Sequence, residues 1–166
     1  MFSRHGITRV LTALIVIGIC WMCSCERKPA RGKKVTSQSP IQADSLAVTI
    51  ELDQGSYAIG EPIKMRLRVT NTTSRSLKLF FPTAQRYDLI VRKGDETLWQ
   101  WSEGMMFAQV TSTLVLEPDT TITYEATWNQ ITRDGKALPL GRYTVEGILR
   151  TQPEVASEPR IFGIVD

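Results

Sequence analysis

Apolar and polar residues alternate along the chain from Ser45 onward, which is the pattern of β-strands with one buried face. The clearest case is IKMRLRVT at 63–70, where every second residue is apolar. Further strands are predicted at 48–52, 77–81, 87–91, 97–101, 107–116, 122–128, 143–149 and 161–165. The pattern therefore predicts eight or nine short strands and no helix longer than two turns.

Strands that alternate in this way form antiparallel sheets that are wet on one face, and two such sheets pack face to face. We therefore predict an all-β fold for residues 45–166, an immunoglobulin-like antiparallel β-sandwich. This region contains no cysteine, so its core depends on its apolar and aromatic side chains. No pattern supports parallel strands joined by helices.

The first 25 residues have a different pattern, that of a signal segment. Arg4 and Arg9 precede 16 uncharged, mostly apolar residues at 10–25, and charged residues follow at 26–28. A spanning helix needs about 20 apolar residues, so this run fits a signal segment better. We expect the protein to be exported.

The signal segment ends in Met22-Cys23-Ser24-Cys25, which resembles the box at which bacterial lipoproteins are cut and acylated. We expect lipidation of Cys25 and a membrane-anchored lipoprotein of the bacterial cell envelope, either periplasmic or surface-exposed. Two alternatives remain open, an uncleaved signal anchor and ordinary signal cleavage. All three place the domain outside the cytoplasm.

Residues 26–44 are polar and charged, with two prolines, and are predicted to be a disordered tether. The net charge of the whole chain is +3. Residues 45–166, however, carry 13 Lys and Arg against 15 Asp and Glu, a net charge of −2. A domain without excess positive charge argues against nucleic acid as a partner. The basic tether suits an anionic membrane surface instead.

The residue types that most often carry catalysis lie outside the predicted domain. His5 is the only histidine, and all three cysteines, Cys20, Cys23 and Cys25, fall in the signal segment. Residues 45–166 therefore cannot form a Ser-His-Asp triad, a Cys-His pair or a thiolate zinc site. We predict a non-catalytic binding domain with no catalytic residue, no metal site and no cofactor.

Trp99 and Trp101 fall on the same face of a predicted strand, because side chains alternate. They are either core aromatics or an exposed aromatic platform for carbohydrate or a protein partner. The apolar residues that follow, Met105, Met106 and Phe107, are expected to pack at a corner of a sheet.

Three stretches, in order, carry a resemblance to a known family. They are YDLIVRKGDETLWQWSEGMMFAQVTSTLVLEP from Tyr87, TITYEATWNQ from Thr121, and PLGRYTVEGIL from Pro139. In this pattern the chain resembles the bacterial intracellular proteinase inhibitor family of the BsuPI type. The resemblance implies an immunoglobulin-like domain and a subtilisin-type serine protease as partner. The namesake is cytosolic, whereas this chain is expected to be exported.

The longest polar loop, 129–141, suggests where an inhibitor would make contact. Arg133 and Lys136 are the candidates for a protease specificity pocket, and the alternative is an ordinary exposed hairpin loop. A second hypothesis is an envelope structural or adhesion module that binds protein or glycan without inhibiting a protease. A third is a hydrolase that uses paired carboxylates. The oligomeric state stays open.

Overall fold

A computed structural model describes residues 45–166. The signal segment at 1–25, Cys25 with its expected lipid, and the tether at 26–44 lie outside the described residues. Eleven strands and no α-helix are present within 45–166. The strands are β1 Leu46–Leu52, β2 Ser56–Ala58, β3 Ile63–Asn71, β4 Leu77–Phe81, β5 Tyr87–Lys93, β6 Glu96–Gln100, β7 Ser112–Leu116, β8 Thr121–Trp128, β9 Gly141–Leu149, β10 Val155–Ala156 and β11 Arg160–Val165. No helix in this range is long and apolar enough to cross a bilayer.

The eleven strands include all nine predicted stretches and two more. The additional strands are β2 and β10, with three and two residues, which are too short to show an alternating pattern. The strand predicted over 107–116 is shorter than expected, because β7 begins only at Ser112. The five residues before it form no regular structure.

The strands form three sheets whose pairing is antiparallel except at one edge. One sheet has the order β1-β3-β8, and the largest has the order β2-β11-β9-β5-β6, with β10 paired to β9. β4 and β7 form a two-stranded sheet. β2 pairs in parallel with β11. The architecture is the predicted all-β, immunoglobulin-like antiparallel β-sandwich.

The core lies between the three-stranded and the six-stranded sheets. In β3 the alternate residues Ile63, Met65, Leu67 and Val69 are buried, as the sequence pattern requires. At Gly147 of β9 the two sheets lie close together, since a Cβ there would be 2.3 Å from Leu67 Cδ1 on β3. The interior is therefore filled, and the candidate binding features lie at the margins of the sandwich.

Candidate functional site

Trp99 lies on β6, at the edge of the six-stranded sheet, and Trp101 follows directly after the strand ends; both are half-buried. The Trp99 ring stacks on Trp128 of β8, with ring centroids 5.2 Å apart. Trp101 stacks on Tyr87 at 4.2 Å, and Tyr87 stacks on Tyr124 of β8 at 4.8 Å. These rings join the edge of one sheet to the edge of the other.

Burial in this aromatic cluster raises the pKa of the Tyr87 phenol, and the charge of Asp88 adds to the increase. Burial also raises the pKa of Tyr124. Both phenols are therefore neutral at physiological pH, and the cluster offers rings and hydroxyl groups to a partner but no charge.

The loop at 129–140 carries the two predicted contact residues, Arg133 and Lys136. A bridge between Ile131 and Ala137 closes its base, and the Thr132 N–H donates to the Lys136 carbonyl at 2.8 Å. Gly135 adopts a φ of +73°, which a tight turn needs and glycine permits. The loop is therefore a short hairpin held by its own hydrogen bonds.

Arg133 is bonded to the strand beside this loop. Its backbone N–H donates to the carbonyl of Leu98 on β6 at 2.9 Å. Its guanidinium pairs with Glu103, with Nη2 2.7 Å from Oε1. The hydrogen bond and the charge of Glu103 raise the pKa of Arg133. Lys136 is exposed and lies on the other side of the turn.

The structure brings three of the four predicted binding residues together. Trp99, Trp101 and Arg133 line one open groove of about 510 Å³, together with Glu103 and Trp128. Lys136 does not line this groove; it borders a smaller hollow of about 210 Å³, which Arg133 also borders. Among residues 45–166 no cluster of His, Cys, Asp and Glu side chains could hold a metal ion.

The expectation that Met105 and Met106 pack at a sheet corner is wrong. Met106 is 99 % exposed and Met105 is 47 % exposed. Only the next residue, Phe107, packs inward, with its ring 6.1 Å from that of Trp101. The two methionines instead begin a segment, residues 105–111, that forms neither strand nor turn.

The 105–111 segment has few hydrogen bonds of its own. The backbone N–H groups at 106–110 find no acceptor among residues 45–166. The carbonyl of Ala108 accepts a hydrogen bond from the Ala84 N–H at 2.9 Å, which pins the middle of the segment. The backbone on either side of that point is open to a partner.

The start of the segment is anchored by Asp88, a buried carboxylate on β5. Asp88 is 0 % exposed, and its oxygens accept hydrogen bonds from the Ser102 N–H at 3.1 Å and the Ser102 hydroxyl at 2.6 Å. Gln100 donates to it at 2.6 Å and Arg150 at 2.9 Å. A buried charge is stable only with partners of this kind.

The far end of the segment is also tied to the sandwich. The Arg86 guanidinium donates to the Ser112 hydroxyl at 2.6 Å and lies 4.4 Å from the centre of the Phe81 ring. The segment thus runs between two anchored ends. The apolar pair Met105-Met106, directly after Gly104 and between two predicted strands, was the signal in the sequence.

Comparison with protein-family models gives a match over residues 50–154, to the model described as intracellular proteinase inhibitor, BsuPI. The chain belongs to this family. The proteinase inhibitor family is generally non-catalytic, and the matched range contains Trp99, Trp101, Met106, Arg133 and Lys136. It contains neither the signal segment nor the tether.

Solved structures similar to this inhibitor-family domain share its fold only in outline. The sporulation control protein Spo0M of Bacillus subtilis is 14 % identical, with a TM-score of 0.45, over 74 % of this chain and 50 % of that one. The CARDB domain of PF1109 from Pyrococcus furiosus is 12 % identical, with a TM-score of 0.42, over 72 % of this chain and 87 % of that one.

The β-glucosidase EmGH1 of Erythrobacter marinus is 14 % identical, with a TM-score of 0.42, and this chain spans only 15 % of its length. Similarities at this level give no indication of function. Comparison with curated proteins gives no match.

Proposed function

We propose that this chain is a non-catalytic proteinase inhibitor that is tethered in the bacterial cell envelope. The observation that carries the proposal is the family match, which covers residues 50–154 and therefore most of the sandwich. The partner that we propose is a subtilisin-type serine protease. Inhibition of this kind is a binding event, so it requires no catalytic group in the domain.

The inhibitory face that we propose lies where the 105–111 segment and the 129–140 loop approach each other. Glu103, which precedes the first, is paired with Arg133 in the second. Inhibitors commonly pair with a protease cleft as an added strand, for which main-chain groups must be free. The N–H groups at 106–110, which have no acceptor among residues 45–166, supply them, and the indoles of the adjacent groove can extend the contact.

The envelope location rests on the signal segment and the tether. The sequence predicts a tether at 26–44, and a coil of 19 residues with this composition would hold the domain roughly 25 Å from a membrane surface. Mass spectrometry of the mature protein tests this part of the proposal. An acylated N-terminal Cys25 is expected, and an intact Met1 in the cytosol would disprove it.

Inhibition is tested with the purified full-length protein against a panel of endoproteinases that includes a subtilisin. We expect loss of protease activity at near-stoichiometric amounts, with the inhibitor recovered intact by mass spectrometry. Failure to inhibit any protease of the panel would disprove the function.

The predicted contacts at Arg133 and Lys136 are tested in the same assay by replacing both with Ala. Lys78→Ala with Arg160→Ala is the matched control, because both cations are exposed on other strands. If Arg133 and Lys136 fill the specificity pocket, only their loss weakens inhibition. If both double variants inhibit like the natural protein, the contact lies elsewhere on the face.

A second candidate function is an envelope module that binds protein or glycan through Trp99 and Trp101. It is favoured by the groove of about 510 Å³ that three indoles line, since aromatic rings stack on sugar faces. Glycan binding that quenches tryptophan fluorescence and is lost in Trp101→Ala, with no protease inhibited, would favour this function over the first.

A further inference from the structure

Met106 is an apolar side chain that the fold leaves almost completely in water. Its exposed fraction is 99 %, against 2 % for Met65 in the core. Burying a methionine side chain is worth about 1.5–3 kcal/mol, so a partner that covers Met106 gains that amount without displacing any contact inside the domain.

The chain around Met106 is already held in place before any partner binds. Upstream, Ser102 is bonded to the buried Asp88 through both its N–H and its hydroxyl. Downstream, Phe107 packs on Trp101 and Ala108 is bonded to Ala84. A segment fixed in this way loses little conformational entropy on binding, which raises affinity.

Arg133 is less available than Met106 for a specificity pocket. Its guanidinium is already paired with Glu103, and its backbone N–H is bonded to Leu98. A protease that took up the Arg133 side chain would first have to break that ion pair. The Met106 side chain, which is 99 % exposed, has no comparable contact to break among residues 45–166.

We propose that residues 105–111 enter the active-site cleft of the target protease as an added strand, and that Met106 fills its primary specificity pocket. The inference rests on the proposed inhibitory function and specifies its contact and its partner. The partner is an endoproteinase whose pocket is apolar and large enough for an unbranched side chain, and not one whose pocket carries a carboxylate for Lys or Arg.

The test uses the purified full-length protein and its inhibition constants against subtilisin, chymotrypsin and trypsin. Met106→Leu keeps a large apolar side chain and should change inhibition of the first two by less than about threefold. Met106→Asp places a charge in an apolar pocket and should weaken inhibition by about 100-fold, the size expected for a central contact residue. Met106→Lys should no longer inhibit subtilisin and should inhibit trypsin instead.

Lys78→Ala is the control, because Lys78 is also exposed but lies on β4, outside both connections; it should inhibit like the natural protein. All Met106 variants should keep the natural unfolding midpoint, since the side chain contacts little. Inhibition of subtilisin or chymotrypsin that is equal in Met106→Asp and the natural protein would overturn the inference and leave the proposed function standing. No inhibition of any protease by the natural protein would overturn both.

Discussion

The two exposed connections at the candidate site, residues 105–111 and 129–140, are stabilised in opposite ways. The first is bonded at its ends and middle to other parts of the sandwich, and its N–H groups at 106–110 have no acceptor among residues 45–166. The second is bonded mainly within itself, around the turn at Gly135. Exposure alone therefore does not make a connection available, because the charged loop already uses the N–H groups of Thr132, Arg133, Gly135 and Lys136 around its turn.

The two connections also differ in the exposed side chains that they carry, Arg133 in the 129–140 loop and Met106 in the 105–111 segment. Arg133 is charged and exposed, but it is engaged with Glu103. Met106 is apolar and 99 % exposed, so the described part of the chain covers almost none of it. An apolar side chain in water that is held on a fixed backbone is a stronger indication of a contact surface than a charge that already has a partner.

The largest expected effect comes from removing the anchor of the 105–111 segment. Asp88→Ala removes the buried acceptor that Ser102, Gln100 and Arg150 share. Each hydrogen bond to a charged group contributes about 1.5–3 kcal/mol and several are lost together, so the expected loss is about 3–5 kcal/mol. We expect urea unfolding to show a loss of that size, with Asp134→Ala in the exposed loop as control. Equal midpoints for Asp88→Ala and the natural protein would contradict the role of the anchor.

A smaller loss of stability is expected when a substitution overpacks the interior and leaves residues 105–111 and 129–140 unchanged. Gly147→Ala brings a methyl group to 2.3 Å from Leu67 Cδ1, so β9 or Leu67 must shift. Overpacking of this kind costs about 1–3 kcal/mol. We expect a lower unfolding midpoint with unchanged inhibition at temperatures where the protein is folded.

Gly55→Ala is the matched control, because its added methyl group meets no atom within 4 Å. Inhibition that fell in Gly147→Ala at full folding would mean that the segment's geometry depends on the sandwich interior. The anchors would then not be sufficient to set it.

The smallest expected effect is that of the ion pair between the two connections. Both side chains of the Arg133–Glu103 pair are substantially exposed, and exposed pairs add little because water screens them. We expect Arg133→Ala, Glu103→Ala and the double variant to unfold at the natural midpoint within error. A clear coupling in this double-mutant cycle would show that the pair holds the 129–140 loop against the segment.

The strands could be predicted from the sequence because burial of one face places apolar residues at every second position, as in β3. The strands that were missed, β2 and β10, are shorter than two periods. The position of β10 depends on pairing with the neighbouring β9, and that of β2 depends on pairing with β11, at the far end of the described residues. Strand pairing over such separations is a tertiary effect.

The site was only partly predictable for the same physical reason. The alternation of side chains along a strand predicts that Trp99 and Trp101 share a face. It does not predict that Arg133 lies in the same groove. The anchor on Asp88 joins residues 12, 14 and 62 positions apart, so no local pattern reveals it. A carboxylate within the apolar run YDLIV was the only local indication. The exposure of Met106 depends on those anchors.

The bond between the Arg133 N–H and the Leu98 carbonyl has a consequence for self-association. β6 is the last strand of its sheet, and an uncovered terminal strand invites the same strand of a second molecule to dock and begin a growing aggregate. The hairpin occupies one of the acceptors that such docking would use. The hairpin therefore hinders a second copy of the domain from pairing along β6. The N–H groups at 106–110 stay accessible to a different partner.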